Sequence, residues 1–224
     1  MERRFDKELE QLKVKINLMF SLATKSLESS VEAVMKDSAA AADAVFEYER
    51  TINAIELEID NGVVDILALQ QPVASDLRLI LAILKINNDL ERIGDHAVNI
   101  AESAQGLIRT PEREPLLKIP QMAEYALVML RDANKSFEDL DAQLAQRVLE
   151  EDDTIDSLNK ELLAEVAGLI KEDQTTTEGN LQLARISRNL ERVADLTTNI
   201  AEEVIFYVKA KIVKHHFIEE KRIQ

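Results

Sequence analysis

Apolar residues recur along this chain at spacings of four and three, the period of a helix face that packs against other helices. The first such face is Phe5, Leu9, Leu12, Ile16, Met19, Ala23, Leu27, Ser30 and Val34. A second runs Val45, Tyr48, Ile52, Ile55, Ile59, Ile66 and Leu69. Asp37 or Ser38 is placed to cap it, and Pro72 ends it, because proline lacks an N–H and its ring clashes with the turn before it. The phrase QQPVASDLR (residues 70–78) reads as a break and restart, with Ser75 or Asp76 as the new cap. The third face is Leu79, Ile83, Ile86, Leu90, Ile93, Ala97, Ile100, Ala104 and Leu107. Gly106, Pro111, Pro115 and Pro120 then mark a linker over 111–120 between a first unit, 1–110, and a second, 121–224.

The second unit repeats the plan. A helix from about Leu116 carries Met122, Ala126, Met129 and Ala133, and the next carries Leu144, Val148, Ile155, Leu158 and Leu162. A break falls at 175–179, and the last face is Leu183, Ile186, Leu190, Val193, Thr197, Ile200 and Val204. The prediction is all-α: six long helices forming two pseudo-symmetric three-helix bundles from an internal repeat.

The repeat extends to polar letters. LERIGDHAVNIAE, from Leu90, returns as LERVADLTTNIAE, from Leu190, with eight of thirteen positions identical. VFEYERTINAIELEI, from Val45, aligns with VLEEDDTIDSLNKEL, from Val148. Glu91 and Asp95 are four apart and share a helix face, as do Glu191 and Asp195. Heptad arithmetic puts them off the core, on the outer side of the bundle. On the middle helices the corresponding pairs are Glu49 with Asn53, and Asp152 with Asp156. Carboxylates so spaced repel by about 0.2–0.5 kcal/mol on an exposed helix. A multivalent cation reverses that cost, and all-oxygen donors select hard cations such as Mg²⁺, Ca²⁺, Mn²⁺ or iron. The plain alternative is a solvated acidic face: a composition this acidic yields about eight such pairs by chance. The fourfold placement on equivalent helices is what favours a site.

Composition narrows the classes. The net charge is −15, from 42 acidic and 27 basic residues, which opposes binding to nucleic acid. There is no cysteine, so thiolate and disulfide chemistry are excluded. The charged N-terminal MERRFDKELE lacks the apolar core of a signal peptide, and the longest apolar run, 79–84, is far too short for a membrane span. A cytoplasmic location is expected. Arg92 and Arg192 follow the acids in both copies and are read as salt-bridge partners of nearby carboxylates. His96 is replaced by Leu196 in the other copy and is read as a surface residue; His215 and His216 lie in a basic tail, KAKIVKHHF, read as a solvated helix end. A di-iron carboxylate oxidase would need Glu-x-x-His pairs, and none occurs. A metal-free helical scaffold is the other alternative.

Taken together, QQPVASDLR, the paired LER phrases and the two-part length closely resemble the PhoU family of phosphate-transport regulators, over essentially the whole chain. The resemblance implies two three-helix bundles, metal clusters (iron, manganese or magnesium, possibly multinuclear) held by E(D)xxxD pairs, and no enzymatic activity. It implies Glu91, Asp95, Glu191, Asp195, Asp152 and Asp156 as ligands. Glu49 is followed by Asn53 where the family pattern has aspartate, so the two sites are expected to differ. It further implies repression of the phosphate-starvation response, with a phosphate-specific ABC transporter and a phosphate-sensing histidine kinase as partners, membrane association through those partners, and a homodimer.

Overall fold

The computed structural model describes residues 4–110 and 115–210. They form six long helices: α1 (Arg4–Lys36), α2 (Ala39–Gln70), α3 (Ala74–Ile108), α4 (Ile119–Glu138), α5 (Ala142–Glu172) and α6 (Thr177–Lys209). A 3₁₀ turn, Gln174–Thr176, joins α5 to α6, and the described residues include no strand. Residues 111–114 of the expected linker and most of the basic tail, with His215 and His216, lie outside the described residues.

The helices follow the apolar seams. Every seam residue named above on α3, α4, α5 and α6 is buried. On α2 the seam ends early: Leu69, in the last helical turn before Pro72, is 64% exposed. Ser38 caps α2, its side-chain oxygen accepting the Ala41 N–H at 3.1 Å. Asp141 caps α5 by accepting the Gln143 and Leu144 N–H groups, and those bonds hold its carboxyl below the usual range. Three boundaries differ from the sequence reading. α3 starts from Val73, with Ser75 and Asp76 inside its first turn, because Pro72 already sets the chain direction. α4 starts at Ile119, so Pro120 sits in its first turn, where its missing N–H has no helical partner to lose. The 175–179 break is a tight turn, and Gly179 lies within α6.

α1, α2 and α3 form one bundle and α4, α5 and α6 the other. They pack side by side through α3 and α6, which run antiparallel: Lys85 meets Glu203 at 2.7 Å, His96 Nδ1 meets Asn189 Oδ1 at 2.8 Å, and Arg185 meets Asn99 and Glu102 at 2.9 and 2.7 Å. α1 and α4 add a second seam, with Phe20 and Phe137 rings 5.9 Å apart and Arg131 paired with Glu28. The buried apolar residues make one continuous core across both bundles. His96, expected on the surface, is instead half-buried in this joint.

Candidate metal centre

The α5–α6 pair brings its repeated acids together along one groove, whereas among the described residues no three acids of the α2–α3 pair converge to the same reach. In the second repeat Asp156 on α5 and Glu191 and Asp195 on α6 each place a carboxylate oxygen within 4.8 Å of the others. All three are half-buried. Asp152, one turn before Asp156, lines the same cavity as Asp195, a space of about 390 Å³ that Arg92, Arg192 and Glu202 also border. Glu191 Oε2 is enclosed and accepts no hydrogen bond; Arg192 Nε lies 3.5 Å away. Arg192 donates to Asp195 Oδ2 at 2.8 Å, and Arg92 lies 3.7 Å from Asp89, so both arginines sit against acids. Burial, and then repulsion from Asp195 and Asp156, lift the Glu191 carboxyl above its ordinary range. Asp195 is raised as well, by burial first, with Arg192 opposing and Asp156 adding.

In the first repeat the equivalent positions are Asn53, Glu91 and Asp95, with Glu49 in the place of Asp152. Asn53 Nδ2 donates to Glu49 Oε1 at 3.4 Å, while Asn53 Oδ1 is enclosed with no donor against it. Glu91 is half-buried and Asp95 exposed. The Glu91 carboxyl is raised by burial, then by Asp95, Glu56 and Glu49. The acids therefore do not stand on a fully outer face: Glu91 and Glu191 are half-buried beside their neighbouring middle helices. Gly94 allows α2 close to α3, since a Cβ there would lie 3.1 Å from Ile52 Cδ1.

These donors fit a hard cation. The groups are carboxylates and one amide, Glu191 Oε2 and Asn53 Oδ1 are enclosed without a hydrogen bond, and the second-repeat carboxylates stand close enough to repel one another, which a positive ion relieves. Asn99, one turn beyond Asp95, serves at the joint, where it accepts a hydrogen bond from Arg185. Two acids escaped the sequence reading. Glu56, one turn beyond Asn53, is felt by Glu91 and itself feels Asp95; the signal was its four-residue spacing to Asp60, lost among chance pairs. Asp89, 8% exposed, lies at the α3–α6 joint, and its signal was an Asp-for-Asn break in the repeat against Asn189.

The arrangement defines a class: a tandem three-helix-bundle protein carrying a carboxylate-lined groove in its second repeat. The comparisons give the class its family. A PhoU domain model matches residues 16–104 and again 119–204, and the chain belongs to the PhoU family. It is 38% identical to a phosphate-specific transport system accessory protein PhoU homolog of Aquifex aeolicus, over 96% of this chain and 97% of that protein. Homolog 1 of Thermotoga maritima is 35% identical over 94% of this chain and 91% of its own length. Among solved structures, PhoU from Pseudomonas aeruginosa superposes with a TM-score of 0.90 at 35% identity, covering 93% of this chain and all of that one. The phosphate transport system regulatory protein PhoU from Streptococcus pneumoniae superposes at 0.86 with 29% identity, over 95% of this chain. Among the described residues no helix is long and apolar enough to cross a membrane.

Proposed function

We propose that this chain regulates phosphate uptake as an accessory of a phosphate-specific transport system, acting as a non-enzymatic adaptor. The observation that carries this reading is end-to-end correspondence with accessory proteins of that name, 96% of this chain against 97% of the relative. Its partners in this reading are the phosphate ABC transporter and a phosphate-sensing histidine kinase, met at the cytoplasmic face of the membrane, with the adaptor itself a homodimer.

Iron, manganese or magnesium belongs to the same reading. Asp152, Asp156, Glu191 and Asp195 would hold it in the second repeat, and Glu49, Asn53, Glu91 and Asp95 in the first. A bound cation supplies positive charge to each groove. The carboxylates would bind it, and the enclosed Asn53 Oδ1 and Glu191 Oε2, neither of which accepts a hydrogen bond within the fold, would face it. Arg192 orients Asp195 through its 2.8 Å hydrogen bond. Charge neutralisation along both grooves then sets the surface that a partner meets, on a chain whose net charge is otherwise −15.

The test is a phosphate-starvation reporter in cells lacking this chain, grown in abundant phosphate. Loss of the chain is expected to switch the reporter on, wild type to silence it, and Glu191→Gln/Asp195→Asn to silence it less well at equal protein level. A reporter unaffected by loss of the chain refutes the regulatory role. A double variant that silences fully and keeps its metal content refutes the role of the grooves.

A further inference from the structure

At one end of the bundle joint α3 outruns its partner. Lys85 meets Glu203 at 2.7 Å and lies 5.8 Å from the Phe206 ring centroid, which sets the antiparallel register. From that level α3 continues back to Ala74, whereas α6 stops at Lys209. At the rise of a helix, α3 extends about 7.5 Å past the end of α6. The uncovered turns are apolar. Leu77, Leu81 and Leu84 recur at spacings of four and three, on one face of α3, and Leu77 is 37% exposed. Asp60, Val64 and Leu67 recur in the same way on α2, with Val64 63% exposed. Leu84 and Asp60 border one cavity of about 510 Å³ together with Glu56, Glu202 and Glu203. The groove between α2, α3 and α6 is thus apolar at the end where α6 stops and acidic further in. Lys85 is the one cation among the described residues that border the cavity, and it is engaged with Glu203, whose Oε2 is enclosed and accepts no hydrogen bond.

The chain itself supplies an occupant of matching chemistry. Ala210 has the left-handed conformation, φ 53° and ψ 30°, that ends α6 and turns the chain away from the helix axis. It is followed by KIVKHHFI, residues 211–218, which carries Lys211 and Lys214 and no acid, beside Ile212, Val213, Phe217 and Ile218. The distance to cover is short. Glu202 lies about 10 Å along α6 from Lys209, and eight extended residues reach about 26 Å. We propose that residues 211–218 occupy the α2–α3–α6 groove, their apolar side chains against Leu77 and Leu81 and their lysines among the carboxylates of α2 and α6. Opposite charge draws the segment in, and burial of the leucine stripe holds it. The tail is then an intramolecular cover for this face, which any outside partner of the groove must displace. The proposal does not depend on the cation-binding reading.

The experiment uses the full chain in chelator. The sequence has no cysteine, so Leu77→Cys introduces a single thiol. Its rate of reaction with a maleimide is compared between the full chain and a chain ending at Ala210, with circular-dichroism melting to show that each is folded. Val14→Cys, on the exposed face of α1, is the control. At Leu77→Cys the full chain is expected to react at least about tenfold more slowly than the shortened one, and at Val14→Cys equally fast. Lys211→Glu/Lys214→Glu in the full chain is expected to abolish most of that protection. Where Leu77→Cys disturbs folding, Val64→Cys replaces it. Equal rates with and without the tail overturn the proposal, as does protection that survives the double charge reversal. Protection that grows with protein concentration assigns the groove to the tail of a second copy and also overturns it.

Discussion

Replacing Asp89 by asparagine is expected to stabilise this protein, and to do so only above the acid range. Asp89 lies on α3 where it meets α6, 8% exposed. Burial, reinforced by Glu203, pushes its carboxyl up from 3.8 to about 6 against the opposing pull of Arg92, the Asn199 hydrogen bond and Lys85. Lys85 gives little because it is already paired with Glu203 at 2.7 Å. The folded chain thus holds this proton more tightly than the unfolded chain does. Below the unfolded value both states carry the proton and Asp89 is neutral in each. As pH rises through about 6, the folded state is left with an ionised carboxylate that it solvates poorly, and stability is lost. A shift of this size corresponds to about 3 kcal/mol, and about 1.5–3 kcal/mol remains if asparagine does not reproduce every hydrogen bond of the acid. In a chain of this length that is a melting-temperature rise of roughly 3–12 °C. The second repeat carries Asn189 at the equivalent position, so the joint accommodates an amide. The assay is calorimetric or circular-dichroism melting of wild type and Asp89→Asn in chelator, near neutral pH and again in acid below the unfolded carboxylate range. A variant that melts lower than wild type near neutrality, or one whose gain is as large in acid, refutes the reasoning.

Two further expectations concern the helices themselves. Ser38→Ala removes the 3.1 Å cap on the Ala41 N–H and is expected to cost about 1 kcal/mol in urea unfolding, with the slope unchanged. Gly168 sits inside α5 with nothing within 4 Å of where a Cβ would lie, so Gly168→Ala is expected to add about 0.5–1 kcal/mol; a loss of stability means that the alanine methyl meets something there after all.

The within-bundle fold was legible because each helix needs one apolar stripe, and a stripe has a period. Leu79 through Leu107 on α3 and Leu183 through Val204 on α6 are buried residue for residue as that period requires. The joint between bundles has no period. An antiparallel pseudo-twofold contact sets position 85 against 203 and 96 against 189, a relation that runs backwards along the chain and that a search for forward repeats cannot see. Ends of helices were misplaced for a local reason: Ser75 and Asp76 are good caps, but Pro72 fixed the entry to α3 first.

What the repeat does show, once the joint is known, is where it fails. Away from the axis of a pseudo-twofold, equivalent residues do not face one another, so each such contact is made by a non-equivalent pair that is free to diverge. His96 meets Asn189, while their counterparts are Leu196 and Asp89; Glu203, the partner of Lys85, corresponds to Ser103. The same holds in the grooves, where Asn53 and Glu56 differ from Asp156 and Asn159 together. A duplicated chain keeps its seams in register because both copies must pack alike, even where Ile83 becomes Leu183 or Ile93 becomes Val193. It departs in chemical class where the copies meet each other or their sites differ, so the broken letters of the repeat carry the information that its faithful letters cannot.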